Sequence, residues 1–166
     1  MRFLYPIATA LAALTQLTMA AQEPTPPNLT FVYSMEAELA NAIPIKNIPD
    51  GKDRQIIPIT GGWFKGPRVS GKILNIGADW LLVDSQGKGR PDTRYVLQTD
   101  QGEIIYVRTE GVPPKIANGP NMLRAKFETS TNSSVAWMNN IAAVAVLRVK
   151  NPNAVLIDMW EASPAQ

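Results

Sequence analysis

Apolar and polar residues alternate along much of this chain. From Thr30 to Leu39, Phe31, Tyr33, Met35, Ala37 and Leu39 fall on one side, and Val32, Ser34, Glu36 and Glu38 on the other. A period of two predicts a strand with one buried face. The Asn- and Pro-rich segment from Asn41 to Lys52 reads as a loop, and Arg54 to Ile59 as a second strand, broken at Thr60-Gly61-Gly62. Paired glycines inside a strand pattern indicate a bulge or a barrel corner. Arg68 to Ile76 and Trp80 to Asp84 are further predicted strands, divided at Gly77-Ala78-Asp79 and followed by a loop from Ser85 to Asp92. Met122 to Thr129, Ile141 to Val149 and Ala154 to Glu161 complete the pattern, with one helical turn, Ser133 to Asn140, carrying Trp137. Ile141 to Val149 is nearly all apolar, as in a strand buried on both faces; a helix is the alternative reading.

The most explicit hairpin joins Thr93–Thr99 to Glu103–Glu110 through Asp100-Gln101-Gly102. A two-residue loop would pair Tyr95 with Arg108. A three-residue loop, with Gly102 left-handed, pairs Tyr95 with Val107 and Arg94 with Arg108. The second register gathers Tyr95, Leu97, Ile105 and Val107 on an apolar face and Arg94, Gln98, Tyr106 and Arg108 on a polar one. A slip of one residue exchanges faces, so the cleaner segregation selects this register. Eight or nine strands with short connections and no long helix predict an all-β domain. Repeated glycine corners favour a single closed antiparallel β-barrel over a sandwich.

Composition narrows the chemistry. At 166 residues there is room for one domain with its own core. The 16 basic and 14 acidic residues nearly cancel, which leaves no concentrated basic surface for nucleic acid. With no cysteine, disulfides, thiolate nucleophiles and Cys-based metal sites are excluded. With no histidine, a Ser-His-Asp triad is excluded and the commonest metal ligand is missing. The expectation is a protein with no metal site and no cofactor, whose proton transfers fall to Asp, Glu, Tyr or Lys.

The N-terminus adds an expectation of export. Arg2, the apolar run Ile7 to Met19 and the small residues around Ala20 have the form of a signal peptide, residues 1–20. A membrane anchor is the alternative, but the run is short for a span and interrupted by threonine. A Pro-rich leader, residues 21–28, then precedes a barrel domain over residues 29–162. Two sequons, at Asn28 and Asn132, fit a secreted glycoprotein with no membrane attachment after cleavage.

Several motifs between Ile56 and Gly111 resemble the DUF3237 family, also called UPF0311, whose members have no assigned general function. They are Ile59-Thr60-Gly61-Gly62, Gly66-Pro67, Gly77-Ala78-Asp79-Trp80, Arg94-Tyr95, Asp100, Gly102 and Ile105-Tyr106-Val107, with weaker echoes at Phe127-Glu128-Thr129 and Ala136-Trp137-Met138-Asn139. The resemblance spans roughly Phe31 to Trp160 and implies a closed antiparallel barrel. Gln101 stands where relatives usually carry an acid, and many relatives lack a leader.

Arg94 and Arg108, opposed across the hairpin, are the sharpest candidate site. Like charges face to face need an offset, from Asp79, Glu128 or an anionic or carbonyl-bearing ligand. Outward-facing arginines screened by water are the alternative. Asp79 beside Trp80 reads either as a carboxylate at a barrel mouth, its pKa set by an aromatic wall and a nearby arginine, or as a turn residue capping backbone amides. Candidate catalytic residues are thus Asp79, Tyr106, Arg94 and Arg108, and candidate ligand contacts are Trp80, Gln98, Glu128 and Trp137. Trp63, Trp137 and Trp160 serve either a cavity or the core. Three functions follow: a barrel binding a small, largely apolar or carbonyl-bearing molecule; an isomerase, cyclase or dehydratase acting on a polyketide- or terpenoid-like molecule; or a secreted protein-interaction module.

Overall fold

A computed structural model of the chain describes residues 23–116 and 119–165. The expected signal peptide and residues 21–22 of the leader lie outside the described residues. The strands are β1 (Asn28–Leu39), β2 (Ile43–Ile48), β3 (Lys52–Lys65), β4 (Ser70–Val83), β5 (Gly89–Arg90), β6 (Asp92–Thr99), β7 (Ile104–Gly111), β8 (Asn121–Thr129), β9 (Ala142–Asn151) and β10 (Ala154–Ser163). Eight of them pair in the order β3, β1, β10, β9, β8, β7, β6, β4, and β4 returns to β3. The result is the closed antiparallel barrel that the strand pattern predicts. β2 continues the β3 edge beyond the end of β1, and β5 adds a short pairing to β4.

The predicted hairpin register holds: Tyr95 pairs with Val107 and Arg94 with Arg108. Gly102 takes φ 85°, and its N–H donates to the Thr99 carbonyl at 2.9 Å. The glycine breaks differ from expectation, because β3 runs on through Gly61-Gly62 and β4 through Gly77-Ala78-Asp79. Both strands absorb their glycines as register shifts, between Pro58 and Trp63 and between Ile73 and Gly77, which bend a long strand round the barrel wall. The predicted loop from Asn41 to Lys52 also contains β2. On β1 a register shift between Phe31 and Tyr33 turns Phe31 outward against Trp160 and buries Val32 instead. β9 buries one face, not two: Ala143 and Ala145 are buried, whereas Val144 and Val146 are only partly covered.

One half of the barrel is filled. Tyr33 packs edge-on against Phe64 and Phe127, with ring centroids 5.6 and 6.3 Å away. Leu97, Ile105, Val107, Leu123 and Met159 complete this buried layer. Each such side chain contributes about 1.5–3 kcal/mol through removal from water. The 3₁₀ turn Ala136–Asn140 crosses the adjoining end and drives Val135 and Met138 into it beside Val69. Asn139 pins this plug by accepting from the Thr129 N–H at 2.8 Å and donating to the Thr129 carbonyl at 3.1 Å.

Candidate active site

The opposite end is open. There the β4–β6, β7–β8 and β9–β10 connections surround a cavity of about 1150 Å³ that reaches down to Met35, Ile59 and Ile157. Its walls are mainly apolar because alternate residues of each strand point inward, and Ala37 and Thr93 leave space where larger side chains would fill it. Lys88, Lys115 and Arg148 stand among the rim residues, and Asp79 is the only carboxylate among the described lining residues. Arg148 is held by an ion pair to Asp158. Among the described residues no three His, Cys, Asp or Glu side chains gather as a metal cluster.

Asp79 faces inward because it is paired with Thr93 on β6 and Ile57 on β3, both of which line the same cavity. Its Oδ1 accepts the Asp92 backbone N–H at 2.9 Å. Burial pushes its carboxyl from 3.8 up to about 6; hydrogen bonds from the Asp92 N–H and the Thr93 hydroxyl oppose that rise, as does the charge of Arg54, while the Asp92 charge adds to it. Asp79 thus accepts a backbone amide, that of Asp92 rather than one of its own turn, and turns its carboxyl to a mainly apolar cavity. Burial there, not the outward-facing Trp80 or Arg94, raises its pKa.

Beneath Asp79 lie groups that the alternation assigned only to the core. Tyr95 lines the cavity, and its hydroxyl donates to the Met35 sulfur at 3.5 Å. Gly77, directly across from Tyr95 on β4, brings no side chain between that phenol and Asp79. The Tyr33 hydroxyl faces that of Tyr95 and has no other partner among the described residues. A tyrosine on a buried face carries a hydroxyl that needs an acceptor, which is the sequence signal that marks such a position.

The remaining candidates stand outside the barrel. Arg94 and Arg108 are cross-strand partners on the outer face, away from the cavity. Their repulsion is offset by neither Asp79 nor Glu128 but by Asp92, 3.2 Å from Arg94 and 3.7 Å from Arg108, and by Glu110, 2.5 Å from Arg108. Closing the barrel on its apolar face turns the polar face of the same hairpin to solvent, so Gln98 and Tyr106 lie outside too. Tyr106 and Glu128 line a shallow outer groove of about 530 Å³, where Glu128 lies 3.5 Å from Lys126. Trp80 also faces out, its ring 5.4 Å from the Arg94 guanidinium. Trp137 sits at the plugged end under Arg68, 3.9 Å from its ring centroid. Trp63 is exposed, and Trp160 packs on Phe31. Asn28 and Asn132 are both exposed.

Fold and site together define a small antiparallel barrel, plugged at one end and carrying a protonatable carboxyl at the other. The chain belongs to the DUF3237 family, described as "Protein of unknown function (DUF3237)", whose model matches residues 27–162. It is similar to the hydroalkoxylation enzyme phnH of Penicillium herquei, with 30% identity over 86% of this chain and 87% of that one. A UPF0311 protein of Rhodopseudomonas palustris is 33% identical over 49% of this chain and 53% of its own length. Among solved structures, a β-barrel-like protein of Acinetobacter baumannii superposes with a TM-score of 0.74 and 32% identity, covering 86% of this chain and 100% of that one.

Proposed function

We propose that this chain is a cofactor-independent acid–base catalyst that isomerises or cyclises a small, largely apolar molecule in the open end of its barrel. The observation that carries the reading is the Asp79 carboxyl, raised by burial to about 6 within a mainly apolar cavity. At neutral pH such a group exchanges protons readily with a bound molecule. The similarity to a hydroalkoxylation enzyme supports the enzyme reading. Hydroalkoxylation adds an O–H across a carbon–carbon double bond, so substrate and product are isomers and no co-reactant is consumed. In this chain protonated Asp79 gives its proton to one alkene carbon. The substrate hydroxyl oxygen bonds to the other carbon, and the hydroxyl proton returns to the carboxylate. The apolar wall holds the two reacting groups together and excludes water while the proton is in transit.

The test offers the protein a panel of small unsaturated alcohols and phenols and follows ring closure by chromatography, the product having unchanged mass. Closure should fall as pH rises through about 6 and Asp79 loses its proton. Asp79→Asn should lose about 10²–10⁴-fold in rate and keep its affinity for an apolar ligand. Equal rates in both proteins would overturn the assignment. Binding without turnover is the second reading, favoured by the size and apolar lining of the cavity, which need no carboxyl. Ligand affinity in both proteins with no product in either would select it. We further propose that the protein is exported and glycosylated, a reading supported by the exposure of both sequon asparagines.

A further inference from the structure

At the cavity floor two phenols are buried with little to bond to but each other and a thioether. Tyr33 and Tyr95 are 0% and 1% exposed, and among the described residues the acceptor of the Tyr95 O–H is the Met35 thioether, 3.5 Å away. The Tyr33 hydroxyl is directed at that of Tyr95 and finds no other partner among the described residues. A buried hydroxyl normally finds a full-strength acceptor, and leaving one short costs about 1–3 kcal/mol. Sulfur is a weak acceptor. Burial raises the pKa of both phenols above the ordinary 10.0, for Tyr33 with a further push from its neighbour Tyr95, so both remain neutral donors across the working pH range. Tyr95 and Met35 both line the cavity, so a molecule entering from the open end meets this pair at its floor, where the unbranched Met35 side chain covers the hydroxyl.

We propose that Tyr95, supported from behind by Tyr33, is the oxygen-recognition site of the cavity, donating a hydrogen bond to a carbonyl oxygen of the bound molecule. The inference rests on the reading of the cavity as the substrate site. It deepens that reading by naming the substrate class: an apolar skeleton bearing a ketone, ester or quinone-type carbonyl that enters oxygen first. The carbonyl oxygen displaces the flexible Met35 thioether as the acceptor of the Tyr95 proton, exchanging a poor hydrogen bond for a good one. Asp79 and Tyr95 lie on adjacent strands, with Asp79 paired to Thr93 and Tyr95 paired to the side-chain-free Gly77. One bound molecule can thus meet an acid on one side and a hydroxyl donor on the other. Where the carbonyl is conjugated to an alkene, donation from Tyr95 draws electron density toward oxygen and stabilises negative charge that develops there. Tyr33 is a positioning residue: its hydroxyl orients the Tyr95 O–H and touches no ligand.

The experiment compares 1-tetralone with tetralin, the same skeleton without the oxygen, on the full chain and on Tyr95→Phe and Tyr33→Phe. Affinities are measured by calorimetry, and the carbonyl stretch of ¹³C-labelled tetralone by difference infrared spectroscopy. The stretch of bound tetralone should lie below its position in hexane and return toward it in Tyr95→Phe. Tyr95→Phe should weaken tetralone by about 3–10-fold and leave tetralin unchanged. Tyr33→Phe should move the stretch in the same direction by less, a change that altered packing alone does not produce. A hexane-like stretch that neither variant moves, with tetralone and tetralin bound equally, would overturn the donor site and leave the cavity standing as a ligand site. Failure of both probes to bind would overturn both. A tyrosine-dependent stretch in a protein whose turnover ignores Asp79 would keep the donor site and remove the acid assignment.

Discussion

Replacing Asp79 by asparagine should make the protein more stable at neutral pH, and the size of the gain follows from where the carboxyl sits. In the unfolded chain the group ionises near 3.8, and in the barrel near 6. Below 3.8 both states hold the proton, and Asp79 contributes no pH dependence. Between 3.8 and about 6 the unfolded state gives up its proton while the folded state keeps it, so the folded state loses ground as pH rises. At about 1.4 kcal/mol per pH unit the loss amounts to about 3 kcal/mol, complete once pH passes the folded value. Asparagine carries no such penalty, and its side-chain oxygen still accepts the Asp92 N–H. The assay is urea denaturation of both proteins at about pH 3.5 and about pH 7.5, reading the wild-type-to-variant difference at each. Comparing the two differences removes the contributions of all other titrating groups. The variant should gain about 3 kcal/mol relative to wild type between the two conditions. A difference that does not change with pH would show that Asp79 is fully solvated, and the reasoning from burial to proton-holding would fail.

The outer arginines give the complementary expectation. Arg108→Gln should change stability by no more than about 1 kcal/mol, an effect that salt reduces further, and should leave cavity affinity for tetralin untouched; a lost affinity would bring Arg108 into the cavity's chemistry after all. Gly77→Ala should cost about 2–4 kcal/mol in urea denaturation, because φ is 131° and a Cβ there would lie 2.2 Å from the Arg94 carbonyl oxygen. A cost below about 0.5 kcal/mol would show that β4 relaxes freely at its bend. Enzymatic deglycosylation of protein secreted from a eukaryotic host should lower its mass through loss of glycans at Asn28 or Asn132, and an unshifted band would withdraw the sequons as support for export.

The barrel and one of its registers were legible because both rest on the period-two alternation. Tyr95, Leu97, Ile105 and Val107 could only share the inside if Gly102 turned the hairpin in three residues, and they do. The lengths of β3 and β4 were not legible. Glycine pairs look alike whether they end a strand or bend one, and the difference lies in the neighbouring strands that continue to pair on either side, as β1 does across Gly61-Gly62. The site was half legible for the same reason. Alternation placed Arg94, Tyr106 and Arg108 on one face, and closure made that face the outside. Asp79 was identifiable as an acid beside a turn signal, but its inward aim follows from the continuity of β4 through Ile73 to Gly77 and on to Leu81. The phenols of Tyr33 and Tyr95 stayed hidden because an apolar pattern records their rings and not the destination of their hydroxyls. Likewise, nothing local distinguishes Trp137 at a plug from a tryptophan at a mouth; the difference is set by the end of the barrel to which the β8–β9 connection belongs.

The most direct measurement is a ¹³C NMR titration of the Asp79 side-chain carboxyl, assigned by its disappearance in Asp79→Asn, with and without tetralin. The midpoint should lie near 6 in the free protein and move higher with tetralin bound, since the hydrocarbon displaces water that solvates the carboxylate. A midpoint near 3.8 that tetralin leaves unmoved would mean that this carboxyl looks onto bulk water and that the barrel end is not a site for apolar molecules.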